Sequence, residues 1–430
     1  MGASRSHGLD EQFPIRLDRP NNPRSLDGEL VVGNALRTVT LANPNLVVNL
    51  LPGVQPEVFR EYLQLRTRRL RSLTIQLGRT DDNRCEKQDA PGHESATHPH
   101  DATPVGGYWA DIGRQVPMAS DTTLMAHSMS KTITAVAVLQ LVGAGTVTLN
   151  APLSQYVDGS PYGPAVTVGQ VLSHTAGIPN PIPLRWVHAT AGHSTFDEAA
   201  ALEAILRAHP RLAAEPGHRF AYSNIGYWLL GRVVERASRE PFTSYVTAHV
   251  LRPLGIDPRD MGYMIIDPGR HATGYLEKYS LLNLAKGFLV DRALIGEYAG
   301  RWLEVRAHYL NGPAFGGLVG TARGFAIFLQ DQLRPRSALF GDVTRRLLYQ
   351  RAHTQNGRSI PMTFAWHVRE RDGAPYYFKE GGGGGFHSMM RLYPAAGRAT
   401  VLMTNATAFD VGRAMDTLDS AFVRTERLGR

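Results

Sequence analysis

Ser128-Met129-Ser130-Lys131 sets a hydroxyl three residues before an amine. At a helix start that spacing places both side chains on one face, about one turn apart. Free serine is a poor nucleophile and needs a base beside it. An amine can be that base only where burial or a nearby cation lowers its pKa and leaves it neutral. A buried helix N-terminus helps twice: its positive dipole end disfavours the ammonium form, and its free N–H groups can stabilise an oxyanion. Only five of the 46 basic residues are lysine, and of these only Lys131 has serine three positions earlier. Arginine keeps its proton, so position 131 is an exception to the chain's preference for arginine. The plainer alternative is an N-cap serine followed by a first-turn surface lysine. The apolar run that follows Lys131 argues against a freely solvated amine.

Two more segments carry candidate groups. Phe220-Ala221-Tyr222-Ser223-Asn224 precedes a helical pattern that begins at Ile225. A phenol near a Ser–Lys pair can relay protons to a leaving group, and an amide can fix a substrate carbonyl or the lysine. Helix capping by Ser223 or Asn224, with Tyr222 as packing, is the alternative. In Phe378-Lys379-Glu380-Gly381-Gly382-Gly383-Gly384-Gly385-Phe386, a strand carries lysine and then glycines, which let a substrate approach the backbone closely. A phosphate loop would end in Gly-Lys-Ser/Thr, and this run follows its lysine instead.

The ordered set Ser-x-x-Lys, Tyr-x-Asn and Lys-x-Gly resembles the serine β-lactamase and penicillin-binding superfamily. Its Tyr-x-Asn form is similar to the class C β-lactamase-related branch, which also holds esterases, D-aminopeptidases and acyltransferases. The segment from Thr167 to Pro179, with Leu172-Ser173-His174-Thr175-Ala176-Gly177, looks like another of the family's signatures. Pro216-Gly217, Gly316-Gly317-Leu318 and Thr321-Ala322 are similar too, and the likeness covers about residues 105–405. The resemblance implies that Ser128 forms an acyl-enzyme, with Lys131 and Tyr222 sharing general-base and general-acid work. It implies that Asn224 positions Lys131 or the substrate carbonyl. Lys379 would hold down the Tyr222 pKa and orient the substrate, and the N–H groups of Ser128 and Gly382 would form the oxyanion hole. Glu380 departs from the family pattern, which has Thr or Ser after the lysine. An anion there is expected to repel a substrate carboxylate. With no Glu-x-x-Leu-Asn segment either, this favours an esterase or amidase for a neutral or cationic acyl compound over a true β-lactamase. An acyltransferase using the same residues, or a catalytically silent binding protein on this fold, are the alternatives.

These residues need elements to hold them. Apolar residues surround the stretch from Ser128 to Val142 on all sides, the mark of a buried central helix, and Gly143 and Gly145 end it. Helical patterns recur over 166–305, notably Phe196 to Ala208 and Ile225 to Ala237. Strands are expected at Leu73 to Leu77, Gly107 to Ala110, Tyr376 to Phe378, Met389 to Tyr393 and Thr400 to Met403. Helices are expected over 57–71 and from Val411 to Arg424. The order predicts an α+β fold, an antiparallel sheet flanked by helices with an inserted, mostly helical domain. The sheet unit is expected at 56–165 and 310–430 with a polar insertion at 78–104, the helical insertion at 166–309, and an N-terminal extension at 1–55.

Composition narrows the partners. Of 430 residues, 43% are hydrophobic and 20% charged, as in a soluble globular protein. No window approaches the ~18 apolar residues of a membrane span. The first twenty residues lack an apolar h-region, which predicts a cytoplasmic protein if the start site is correct. The net charge of +8 is dispersed, and the run Arg66, Arg68, Arg69 and Arg71 reads as one solvated helix face, so no nucleic acid is expected. Cys85, the single cysteine, precludes an internal disulfide. His93, Glu94, His98, His100 and Asp101 are irregularly spaced in the polar insertion and read as surface, not as a zinc site. No cofactor and no metal are expected; the expected partner is a small-molecule ester or amide.

Overall fold

A computed structural model describes residues 109–181, 186–280, 283 and 291–427, with the strand backbones 37–40, 47–50 and 74–79. The helix expected over 57–71, most of the 78–104 insertion, Cys85 and the 93–101 histidines and acids lie outside the described residues. So does most of the 1–55 extension.

Among the described residues, seven strands form the main sheet. Their order is Arg37–Thr40, Val47–Leu50, Thr74–Arg79, Arg398–Thr404, Phe386–Tyr393, Ala374–Gly383 and His367–Arg371. Every neighbouring pair is antiparallel except Val47–Leu50 with Thr74–Arg79. The expected strands at 376–378, 389–393 and 400–403 all fall within this sheet, and Trp109–Asp111 stands where 107–110 was expected. Arg398–Thr404 is buried from Ala399 onward, as a central strand covered on both faces must be. Helix Ala322–Leu333 packs on it, and helix Val411–Arg427 packs on it and on Phe386–Tyr393.

The helix expected from Ser128 runs from Ser130 to Gly143, preceded by a short 3-10 turn, His127–Met129, that carries Ser128. Its residues from Ser130 to Leu139 are all buried. Ile133, Val136, Val138 and Leu139 each contribute about 1.5–3 kcal/mol of burial. Helices Asn224–Ser238 and Pro313–Gly316 pack against it. Gly145 takes φ +76, a left-handed turn after the helix end.

The 166–305 stretch holds the two expected helices, Glu198–Ala208 and Asn224–Ser238, and also several short strands. Gly274–Glu277, Trp302–Val305 and Ile295–Ala299 form an antiparallel sheet, and Val187–Ala189 pairs with His308–Leu310. Strands of three to five residues are too short to show a clear alternation in sequence.

Candidate active site

Ser128 sits in the first turn ahead of the central helix, where N–H groups have no partner within the helix itself. His127 before it has φ +47, a backbone region that costs a non-glycine residue energy and turns the chain sharply into the helix. Lys131, one turn on, is fully buried. Its Nζ lies 3.0 Å from Ser128 Oγ, 2.7 Å from Asn224 Oδ1 and 2.6 Å from the Phe315 carbonyl oxygen.

The partners of this amine decide its direction. Asn224 Oδ1 and the Phe315 carbonyl can only accept, so they take the two hydrogens of a neutral amine. In that neutral form the lone pair faces the Ser128 hydroxyl, whereas the ammonium form donates its third hydrogen to Ser128 Oγ. Burial, with the Lys379 charge second, pushes the Lys131 pKa well below that of free lysine. Among the described residues no carboxylate pairs with Nζ, so no anion offsets the effect of burial.

Tyr222 precedes helix Asn224–Ser238. Ser223 caps that helix by accepting from the Gly226 N–H at 3.0 Å, which spares Asn224 for Lys131. The capping alternative and the chemical one therefore both hold, on adjacent residues. Tyr222 OH donates to Ser128 Oγ at 2.9 Å. Two amines lie near its ring, with Lys131 Nζ and Lys379 Nζ each 5.1 Å from the centroid. Below it lies His174, ring to ring at 4.3 Å, with Nδ1 accepting from the Ser223 N–H. His174 thus supports the tyrosine instead of facing the serine.

Lys379 was expected to hold down the Tyr222 pKa, and its amine does lie near that ring. Burial pushes the phenol pKa up, opposed only by the hydrogen bond to Ser128. Lys379 is itself fully buried and has no hydrogen-bond partner among the described residues. Burial brings its pKa down to about 7, so it is a weak source of fixed positive charge near neutrality.

The strand Ala374–Gly383 carries Lys379 inward and the next residue outward, as the two-residue period requires. Gly381 faces inward again. A side chain there would collide with the Ala126 carbonyl and sit 3.0 Å from the Ser128 N–H, so only glycine lets the strand lie against the serine turn. Gly382 belongs to the other face, where an added Cβ would come 3.2 Å from His387.

Glu380 shares that outer face and has a partner there. Its Oε1 lies 2.6 Å from His387 Nε2, while His387 Nδ1 lies 2.6 Å from the Phe409 carbonyl oxygen. Both ring nitrogens meet acceptors, which makes His387 an imidazolium. Burial is the largest single influence and works against that charge, yet Glu380, the Phe409 carbonyl and Asp410 together outweigh it and the His387 pKa is raised. The His387 bond lowers the Glu380 pKa in turn. The carboxylate is neutralised by a partner across the strands, not directed beside Lys379.

Sequence reasoning missed the Phe315 carbonyl and Asn180, whose Oδ1 accepts from the Asn224 N–H at 3.0 Å. A backbone acceptor has no side-chain signature; the only signal was Gly316-Gly317 immediately after it.

Comparison with known proteins places this geometry. The chain is 35% identical over 179 residues to esterase EstB of Burkholderia gladioli, covering 37% of this chain and 43% of the esterase. The matched stretch thus spans less than half of that relative. It is 25% identical over 320 residues to penicillin-binding protein 4 of Amycolatopsis lactamdurans, covering 69% of this chain and 76% of that protein. The fold is similar to the crystal structure of D-amino acid amidase from Ochrobactrum anthropi SV3 complexed with L-phenylalanine amide. There the TM-score is 0.65 at 18% identity, covering 86% of this chain and 98% of the amidase chain. The beta-lactamase family model matches residues 91–423, the greater part of the sequence, and the chain belongs to that family.

Proposed function

We propose that the protein is a serine acyl hydrolase that cleaves a small-molecule ester or amide through a covalent acyl-enzyme on Ser128. The observation that carries this reading is the Lys131 amine, held by two obligate acceptors with its remaining direction toward Ser128 Oγ. The cleft would lie between the sheet unit (56–165 and 310–430), which supplies Ser128, Lys131 and Lys379, and the insertion (166–309), which supplies Tyr222 and Asn224.

In the first step Ser128 Oγ attacks the carbonyl carbon and its proton passes to Lys131 Nζ. The N–H groups of Ser128 and Gly382 take the charge that develops on the carbonyl oxygen. The carbon–leaving-group bond then breaks, Tyr222 OH gives its proton to the departing oxygen or nitrogen, and Lys131 re-protonates the phenol. In the second step water attacks the acyl carbon while the same pair takes its proton. The acid is released and the serine hydroxyl restored. Asn224 keeps Lys131 aimed, and Lys379 orients the substrate carbonyl side.

An ester is favoured over a β-lactam by the likeness to the Burkholderia gladioli esterase. With Glu380 bound to His387, the argument for a cationic substrate loses its basis, and a neutral acyl group fits the site better. The test is turnover of p-nitrophenyl butyrate and of a penicillin by the wild type and by Ser128→Ala. The reading expects ester turnover at least about 10³-fold faster in the wild type than in the variant. Equal rates for the two proteins would remove Ser128 from the mechanism.

A further inference from the structure

A cavity of about 660 Å³ lies apart from the serine site, and none of Ser128, Lys131, Tyr222, Asn224 or Lys379 lines it. Its volume falls within the range of small-molecule sites, about 300–1,000 Å³. The strand His308–Leu310 forms part of its lining. His308 lies against the glycine hairpin, where a Cβ on Gly384 would strike its ring, while Tyr309 and Leu310 line the cavity.

One wall is a ladder of rings. Phe196 stacks on His188 at 3.9 Å, His188 lies parallel to His193 at 5.2 Å, and His193 stacks on Tyr309 at 4.0 Å. The hydrogens along this ladder can be assigned. Asn311 Oδ1 accepts, so His188 Nδ1 carries a hydrogen in their 2.9 Å bond. Burial lowers the pKa of both histidines, so His188 is neutral and its Nε2 accepts from His193 Nδ1 at 2.8 Å. His193 Nε2 is left with a lone pair.

The rest of the lining is also rich in acceptors. Glu198 uses Oε1 for both Trp228 Nε1 and Arg232, and Glu240 uses Oε1 for His249. The second oxygen of each carboxylate lies outside those bonds, and Arg252 is the one lysine or arginine in the lining. Tyr263 adds a hydroxyl buried without a partner among the described residues. Met264 and Ile266 line the same space while half exposed to solvent, at 50% and 52%.

We propose that this cavity is a second ligand site that takes a small aryl-alkyl amine. Its ring would lie against the Phe196–Tyr309 ladder and the apolar edge, and its ammonium would face Glu240 and the His193 lone pair. Aromatic faces beside carboxylates favour a cation over a neutral or anionic molecule of the same shape.

Calorimetric titration of the full chain with 2-phenylethylammonium, and separately with phenylacetate, tests this. The expected result is saturable binding of the amine at one site and affinity at least about tenfold weaker for phenylacetate. Glu240→Gln removes the charge, and Met264→Lys sets a cation at the half-exposed rim with little risk to folding. Each is expected to weaken the amine by about tenfold. No saturable binding of the amine, equal affinity for phenylacetate, or unchanged amine affinity in both variants would overturn the proposal.

Discussion

Among the described residues, basic side chains are buried in two places and treated in opposite ways. At the serine, Lys131 and Lys379 are both fully buried, and no carboxylate among the described residues bonds either amine. Under helix Val411–Arg427, Arg391 is also buried, but its guanidinium meets Asp416 and Asp419 at 2.7 Å each and the Gly412 carbonyl at 3.2 Å. Tyr393 and Thr400 complete the set by donating to Asp419. Burial lowers both lysine pKa values, whereas the acids outweigh burial at Arg391 and raise its pKa. The arginine cluster fixes a charge to clamp a helix on a sheet. The lysine cluster leaves charge unsupported, and an amine that can shed its proton is the chemical result.

Exchanging the two treatments breaks the comparison most sharply. Lys131→Arg puts a group that cannot deprotonate beside Ser128, and esterase kcat is expected to fall by about 10³-fold or more while the fold persists. Steady-state kinetics with circular dichroism checks both halves. Arg391→Met has the opposite signature, leaving Asp419 buried without its cation. A loss of about 3–5 kcal/mol in denaturant unfolding is expected, with kcat of the folded enzyme little changed.

pH sharpens the contrast. A base must be neutral to act, so kcat/KM should rise with pH through the lowered lysine titrations and not follow an ordinary lysine. Stability should move the same way. Lys379 titrates near 7 when folded and near ~10.4 when unfolded, so between these values the unfolded chain binds the extra proton. Unfolding free energy therefore rises with pH across that window, by about 1.4 kcal/mol per unit for this group. Lys379→Met should flatten that rise, which urea titrations at pH 7 and pH 9 would measure. A smaller effect is expected at the outer face of the same strand. Glu380→Gln weakens the His387 bond beside Gly382 and should lower the His387 pKa by NMR, with a rate loss below about tenfold.

Much of this was legible in the chain because side-chain type and spacing carried it. The all-round apolar run after Lys131 announced a buried helix, and the strands at 376–378, 389–393 and 400–403 announced the sheet. Ser128, Lys131, Tyr222 and Asn224 converge as their motifs implied. What stayed hidden depended on direction or on backbone. Glu380 drew attention as a lone anion after the lysine, and its bond to His387, seven residues on and across a hairpin, was not readable from the chain. The Phe315 carbonyl could not be read at all, nor could the extent to which burial raises the Tyr222 pKa.

The central claim is an acyl group carried on Ser128. The direct measurement is intact-protein mass after rapid acid quench of the enzyme with p-nitrophenyl butyrate, followed by peptide mapping. The account predicts a transient adduct of one butyryl group on the peptide that holds Ser128, absent from Ser128→Ala. Turnover with no adduct at any quench time, or an adduct on another residue that Ser128→Ala retains, would contradict it.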